Sequence, residues 1–215
     1  CRTHWKKEKN HRFYHISTDE VYGSLGKEGV FTEQSPYQPR SPYAASKASA
    51  DHMVRAYGET YGLPYVISNC SNNYGPDQHR EKLIPTLIHS LQQNKALPIY
   101  GDGSNIRDWL YVEDHISAMD LIFHKGVLGE TYLIGGRCER SNLAVATSIC
   151  RAYDTHVGQA DGTAEKLITF VPDRPGHDYR YAIDPHKLES TLGWSPQTNW
   201  EVGIQKTISS YIDKI

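Results

Sequence analysis

Two groups of residues in this chain have the types and spacing for proton chemistry. The stretch Ser17-Thr18-Asp19-Glu20 follows an apolar run and sets two adjacent carboxylates, with two hydroxyls before them, at the end of an expected strand. Carboxylates in such a place commonly cap a helix or face water. In a doubly wound sheet the same place, beyond the carboxyl ends of the strands, is where ligands bind. Further along, Tyr43 and Lys47 form a Y-x-x-x-K pair, and four-residue spacing on a helix puts both side chains on one face. A tyrosine at its reference pKa of about 10 is a poor base at neutral pH, whereas a neighbouring ammonium favours the phenolate.

These residues need elements to hold them. Short apolar, β-rich runs at 12–17, 65–69, 132–134 and 167–171 read as strands. Between and after them lie helical patterns at 43–61, 81–93, 113–125, 142–153, 185–192 and 200–215, the first preceded by Ser41-Pro42 as cap and first-turn proline. Residues 1–12 read as the end of an amphipathic helix running into the first strand. Strands alternating with helices predict an α/β protein, here part of a doubly wound, largely parallel sheet. After about Pro76 the loops lengthen, as in "YGDGSNIRDWLYVEDH" and "PDRPGHDYR". We therefore expect 1–75 to carry the sheet and the catalytic residues. The expectation for 76–215 is a smaller, irregular α/β lobe with some segments returning to the first unit.

Composition narrows the function. Lysine and arginine number 23 against 25 aspartates and glutamates, a net charge of −2, with no basic block of the kind that binds nucleic acid or anionic membrane. No run approaches the ~18 apolar residues of a membrane span, and no signal segment is recognisable, so a cytoplasmic protein is expected. Four widely spaced cysteines without a CxxC pair point to free thiols, and the eleven histidines show no metal-ligand spacing, so no metal is expected.

The ordered set "HRFYHISTDEVYGSLG", "SPYAASKASADHMVRAYGETYGLP", "SNCSNNYGP", "EKLIP", "LPIYGDGSNIRDWLYVEDH", "GETYLIGG" and "DRPGHDYRYAID" resembles the extended short-chain dehydrogenase/reductase family, and within it the nucleotide-sugar 4,6-dehydratases. The resemblance covers nearly the whole chain. It implies a Rossmann fold, NAD as cofactor, a homodimer, and a nucleotide hexose as substrate, dTDP-glucose first and UDP-glucose as the alternative. In that scheme Tyr43 deprotonates the hexose 4-hydroxyl, Lys47 steadies the phenolate and touches the cofactor ribose, and Thr18 bonds the same hydroxyl. Glu20 then removes the C5 proton while Asp19 protonates the departing 6-hydroxyl. Ser17 and Asn73 would contact the cofactor. Asn72, Lys82, Leu83, Pro98, Ile99, Tyr100, Arg107, Asn142 and the loop Asp173-Arg174-Pro175-Gly176-His177 would bind the substrate. Arg107 and Arg174 suit a diphosphate, because a guanidinium fork matches phosphate oxygens and stays charged. Elimination needs one group to accept a proton and another to give one, whereas a sugar 4-epimerase of the same fold needs only the Tyr and Lys. Trp109, Tyr111 and Tyr179 are expected to be packing residues.

One departure is large. Nothing matches the family's glycine-rich turn between its first strand and helix, whose backbone approaches the cofactor pyrophosphate. The chain thus resembles the C-terminal portion of such an enzyme. That implies an exposed apolar sheet edge and a weakened grip on the cofactor, and it keeps a non-catalytic sugar-nucleotide-binding remnant as an alternative. Smaller departures, His79-Arg80 and Arg137-Cys138, are expected to border the nucleotide site. Finally, Asp19 and Glu20 are neighbours, and neighbours on an extended segment point opposite ways. A turn at Thr18 to Glu20 is required to bring both onto one substrate.

Overall fold

The computed structural model describes Cys1, Trp5 and residues 11–213. Most of the expected helix at 1–12, and the last two residues of the one at 200–215, lie outside the described residues. The first sheet has the order β1-β2-β6, from β1 (Phe13–Thr18), β2 (Tyr65–Cys70) and β6 (Thr131–Ile134), all parallel. β2 is its centre. Val66, Ile67, Ser68 and Asn69 are fully buried, as expected of a parallel strand covered on both faces.

Helix α1 (Pro42–Tyr61) crosses from β1 to β2. Ser41 caps it by accepting the Ala44 amide at 3.1 Å, Pro42 starts it, and Gly62 ends it with φ 67°. Its buried face is Ala44, Ala48, Asp51 and Val54. Helices α3 (Val112–Lys125) and α5 (His186–Leu192) cover the sheet elsewhere, where Ala118, Ile122 and Leu188 pack with Val66, Tyr132 and Ile134.

A second core lies between α2 (Leu83–Gln92), α4 (Asn142–Val157) and α6 (Trp200–Ile212) and the strands β3 (Asn72–Tyr74), β4 (Leu97–Tyr100) and β5 (Ile106–Tyr111). β5 pairs parallel with β3 and antiparallel with β7 (Glu139–Ser141). The expected strand near 167–171 exists as β8 (Ile168–Val171), but it pairs with β4 in a separate two-stranded ladder. β5 alternates between the cores: Trp109 and Tyr111 enter the second, Leu110 the first. Trp109 and Tyr111 are thus packing residues, as expected, whereas Tyr179 is exposed. Among the described residues no helix is long and apolar enough to cross a membrane.

Candidate active site

β1 ends and the chain turns at once. Thr18 keeps extended backbone (φ −136°, ψ 153°) and caps a 3-10 turn, Asp19–Tyr22, by accepting the Glu20 amide at 3.3 Å. Val21 and Tyr22 anchor the turn in the core beside Ala48 and Leu133. The extended backbone therefore stops before the two carboxylates, and both line one cleft of about 300 Å³. The required turn is present.

Thr18, Asp19, Glu20, Tyr43 and Lys47 all border that cleft, as do Ser17, Asn72, Asn73 and Lys82. Tyr43 and Lys47 stand in the first turns of α1, and Tyr43 is 55% exposed. The Lys47 ammonium donates to the Ile16 carbonyl at 2.7 Å, which fixes the helix over the end of β1.

The two carboxyls sit in unlike surroundings. Asp19 is 2% exposed; burial first, then the charges of Glu20 and Asp108, push its pKa up to about 8, so it is neutral at pH 7. Its Oδ1 accepts the Thr18 hydroxyl at 3.3 Å, and its buried Oδ2 has no partner among the described residues. Glu20 is less buried. Burial raises it too, while the cations Arg107, Lys82 and Arg174 pull the other way.

Tyr43 departs from expectation. Partial burial, and then Glu20, Cys70 and Asp19, hold its phenol above the usual value, where the Lys47 spacing alone would lower it. Burial sets the sign and the neighbouring carboxylates add to it, so a protonated Asp19 relieves Tyr43 of one opposing charge.

The remaining expected residues divide. Lys82 caps α2 at the cleft, while Leu83 packs partly into the second core. On β4 the strand alternation exposes Pro98 and Tyr100, and the Ile99 side chain, expected to line the nucleotide pocket, enters the core instead. Tyr100 meets His177 edge to face at 6.5 Å between ring centroids, and Asp173 accepts the His177 Nδ1–H and the Arg174 amide at 2.7 and 2.8 Å. Pro175 and Gly176 complete an exposed loop whose Gly176 has φ 69°. Asn142 opens α4, its amide bonded to the Asn105 carbonyl at 3.0 Å. Apart from Lys82, none of these borders the cleft that holds the carboxylates.

Arg107 is 6% exposed. Its guanidinium donates to the carbonyls of Ile106, Asp178 and Tyr179 and lies 4.4 Å from the Tyr181 ring centroid. The structure makes it a buried counter-charge to Glu20 and Asp19. Arg137 is engaged at the surface by Glu189 and Asp184, away from the cleft.

Sequence reasoning missed Ile16, Cys70, Ser71 and Gln78, which also line the cleft. It missed Asp51 as well, for which the signal was present: Asp51 continues the face of Tyr43 and Lys47 by another four residues. A slightly larger cleft of about 320 Å³ near Tyr37, Arg55 and Lys187 has its cations engaged, Arg55 by Tyr37 and Thr131, Lys187 by Glu130.

Two groups that line the cleft fit one end of a dinucleotide. Lys47 uses one donor on Ile16, and the buried Asn73 Oδ1 lacks a partner among the described residues. At about 300 Å³ the cleft stands at the small end of ligand pockets. It suits the reacting end of a cofactor and a sugar, not a whole dinucleotide.

A sequence model described as GDP-mannose 4,6 dehydratase matches residues 1–207. The chain is 52% identical over 222 residues to dTDP-glucose 4,6-dehydratase of Neisseria gonorrhoeae, covering 99% of this chain and 64% of that protein. The crystal structure of dTDP-glucose 4,6-dehydratase from Bacillus anthracis in complex with NAD superposes with a TM-score of 0.85 at 48% identity, over 93% of this chain and 61% of that one. The Thermus thermophilus UDP-glucose 4-epimerase complex with NAD gives a TM-score of 0.85 at 27% identity, over 95% and 65%. The chain thus spans a little under two thirds of the length of the proteins it matches.

Proposed function

The chain belongs to the GDP-mannose 4,6 dehydratase family, and from that membership we propose that the protein carrying it dehydrates dTDP-glucose to the 4-keto-6-deoxy sugar nucleotide, with NAD as resident hydride carrier. The observation that carries this reading is the meeting, at one cleft, of a neutral Asp19 and a neighbouring Glu20 with the Tyr43-Lys47 pair.

Tyr43 takes the proton of the sugar 4-hydroxyl, with Lys47 as the cation on its helix face. A bound dinucleotide would supply the hydride acceptor and donor that the reaction needs, and Tyr43, Lys47, Asn73 and Ser17 would hold its nicotinamide end. The 4-ketone acidifies the C5 hydrogen, which Glu20 removes. Asp19 gives its proton to the 6-hydroxyl, and water leaves. Burial keeps that proton on Asp19 at neutral pH, so the acid is loaded before substrate arrives. An epimerase, which breaks no C–O bond, has no use for such a carboxylic acid. The loop Asp173 to His177 with Tyr100, Pro98, Asn142 and Lys82 is read as the nucleotide-binding side, and Arg107 and Arg174 as the positive field that favours a diphosphate.

Incubation of the protein with dTDP-glucose and NAD should yield a 4-keto-6-deoxy product and water. Release of a 4-epimer would select the epimerase reading, and binding of dTDP-glucose without turnover the non-catalytic one. Faster turnover of UDP-glucose would correct the nucleotide. We further read the protein as a cytosolic homodimer.

A further inference from the structure

We propose that Asp51 is a positioning residue for the acid and base at Asp19 and Glu20, acting through Ser17 and Asn69 on the backbone from which the 3-10 turn departs. The catalytic consequence rests on the dehydratase reading above; the structural one does not.

Asp51 is 0% exposed, on the buried face of α1 among Ala44, Ala48 and Val54. An apolar side chain would pack there without the desolvation that a carboxylate suffers. Its oxygens instead accept four hydrogen bonds from three segments. His15 Nε2 donates to Oδ1 at 2.9 Å; the Ser17 hydroxyl at 2.9 Å, the Tyr37 hydroxyl at 2.8 Å and the Asn69 amide at 3.2 Å donate to Oδ2. Burial alone would raise this carboxyl, but the four donors outweigh it and hold the pKa below the ordinary value, so the group is an anion.

The placement of these bonds is what points beyond stability. Ser17 and Asn69 face each other in the β1–β2 register, and Asn69 also donates to the Thr18 carbonyl at 3.0 Å. Lys47, one turn earlier on the same helix face, takes the carbonyl of Ile16. Helix α1 therefore grips three consecutive residues, His15, Ile16 and Ser17. It does so immediately before the strand gives way to the turn bearing Asp19 and Glu20. Proton transfer depends on heavy-atom distances within a few tenths of an ångström. Displacement of reacting groups by about 1 Å can cost on the order of a hundredfold in rate.

The test compares wild type with Asp51→Asn, which keeps the shape but turns one acceptor into a donor, and with Asn69→Leu, which removes the links to Thr18 and to Asp51 Oδ2 while leaving Asp51 its other three donors. Two readouts are taken, hydrogen exchange of backbone amides and steady-state kinetics with dTDP-glucose over a pH series. We expect exchange at residues 17–20 to quicken at least about tenfold in Asp51→Asn while Val66 and Ile67 keep their protection. We also expect kcat to fall by about tenfold or more with KM within about threefold and the pH midpoints unmoved. Asn69→Leu should show the same pattern, more weakly, and decides the matter if Asp51→Asn does not fold. A uniform loss of protection across β1 and β2, or wild-type kcat per folded molecule, would overturn the proposal. If wild type itself makes no product, the dehydratase reading fails, and the local exchange pattern still settles whether Asp51 positions the turn.

Discussion

The acid role proposed for Asp19 rests on its being costly to ionise where it sits. Burial comes first, the charges of Glu20 and Asp108 add to it, and the opposing charge of Arg107 does not outweigh them. The same fact has a stability consequence with a definite sign. The folded-state pKa, about 8, lies above the unfolded value, so the folded state holds a proton that the unfolded state gives up. The stabilising contribution is complete below about pH 4 and is lost as pH rises through about 8. Asp19→Asn cannot ionise and escapes that loss. Urea unfolding should therefore show the variant gaining on wild type by more than about 1 kcal/mol between pH 5 and 9, since each unit of displacement is worth ~1.4 kcal/mol. Its elimination rate should fall by about 10²–10⁴ and lack the alkaline limb that we expect of wild type near pH 8. A difference between the two proteins that stays constant from pH 5 to pH 9 would mean that Asp19 is already ionised at neutrality. That two carboxyls meet at one cleft could be expected from Asp19-Glu20 in sequence. Their inequality could not, because it arises first from unequal burial and then from Asp108, Arg107 and Lys82, which the fold brings up from 60 to 90 residues away in the chain. The sign of the Tyr43 shift was hidden because burial, which the sequence spacing does not show, is its largest cause.

At the scale of elements, the sequence showed most clearly those whose signals are local. Ser41-Pro42 and Gly62 bracket α1, and the apolar runs at 13–18 and 65–70 pair in parallel as strands, the second of them buried along nearly its whole length. β5 was illegible. "IRDWLY" places Arg107 and Asp108 inside a strand, and charged residues there look like a loop until their internal partners are seen: the Ile106, Asp178 and Tyr179 carbonyls for Arg107, and the Gly136 and Cys138 amides for Asp108. Gly58 is a related case, a glycine within α1 where alanine would favour the helix by about 1 kcal/mol. Glycine is needed there because a Cβ would stand 2.2 Å from Cε1 of Tyr65, the first residue of β2. Gly58→Ala should therefore destabilise by about 1–3 kcal/mol, as overpacking does. Adding Tyr65→Leu should return part of that loss, a coupling measurable as a double-mutant cycle in urea. Additive effects would show that the helix rides away from the strand at no cost.

At the scale of the whole molecule, the problem is how two cores are made to act as one, since Asp19 and Glu20 stand on the first and the opposing charges of Arg107 and Lys82 on the second. β5 forms one wall between them, and the segment 179–184 stitches the other side. Its backbone bonds to Ile106 on β5, to Leu25 through the Arg180 carbonyl, and to Phe31 through the Ala182 carbonyl. The Arg180 side chain closes the join: Nε and one terminal nitrogen grip both oxygens of Glu139 on β7 at 2.6 and 2.8 Å, while the other nitrogen donates to the Gly29 carbonyl at 2.9 Å. The pair is bidentate and its arginine is 8% exposed, so it escapes the screening that makes surface pairs weak. Arg180→Ala leaves Glu139 partly in water, which tempers the penalty of an orphaned charge, and we expect a loss of about 2–4 kcal/mol. The loss should be local before it is global. Lys27 lies exposed in the loop that Arg180 holds through Gly29, so trypsin should cut there at least about tenfold faster in the variant, at temperatures where circular dichroism is still native. If stability falls without faster cleavage at Lys27, Arg180 serves β7 alone. The join between the cores must then reside in the backbone ladder, which no side-chain substitution would open.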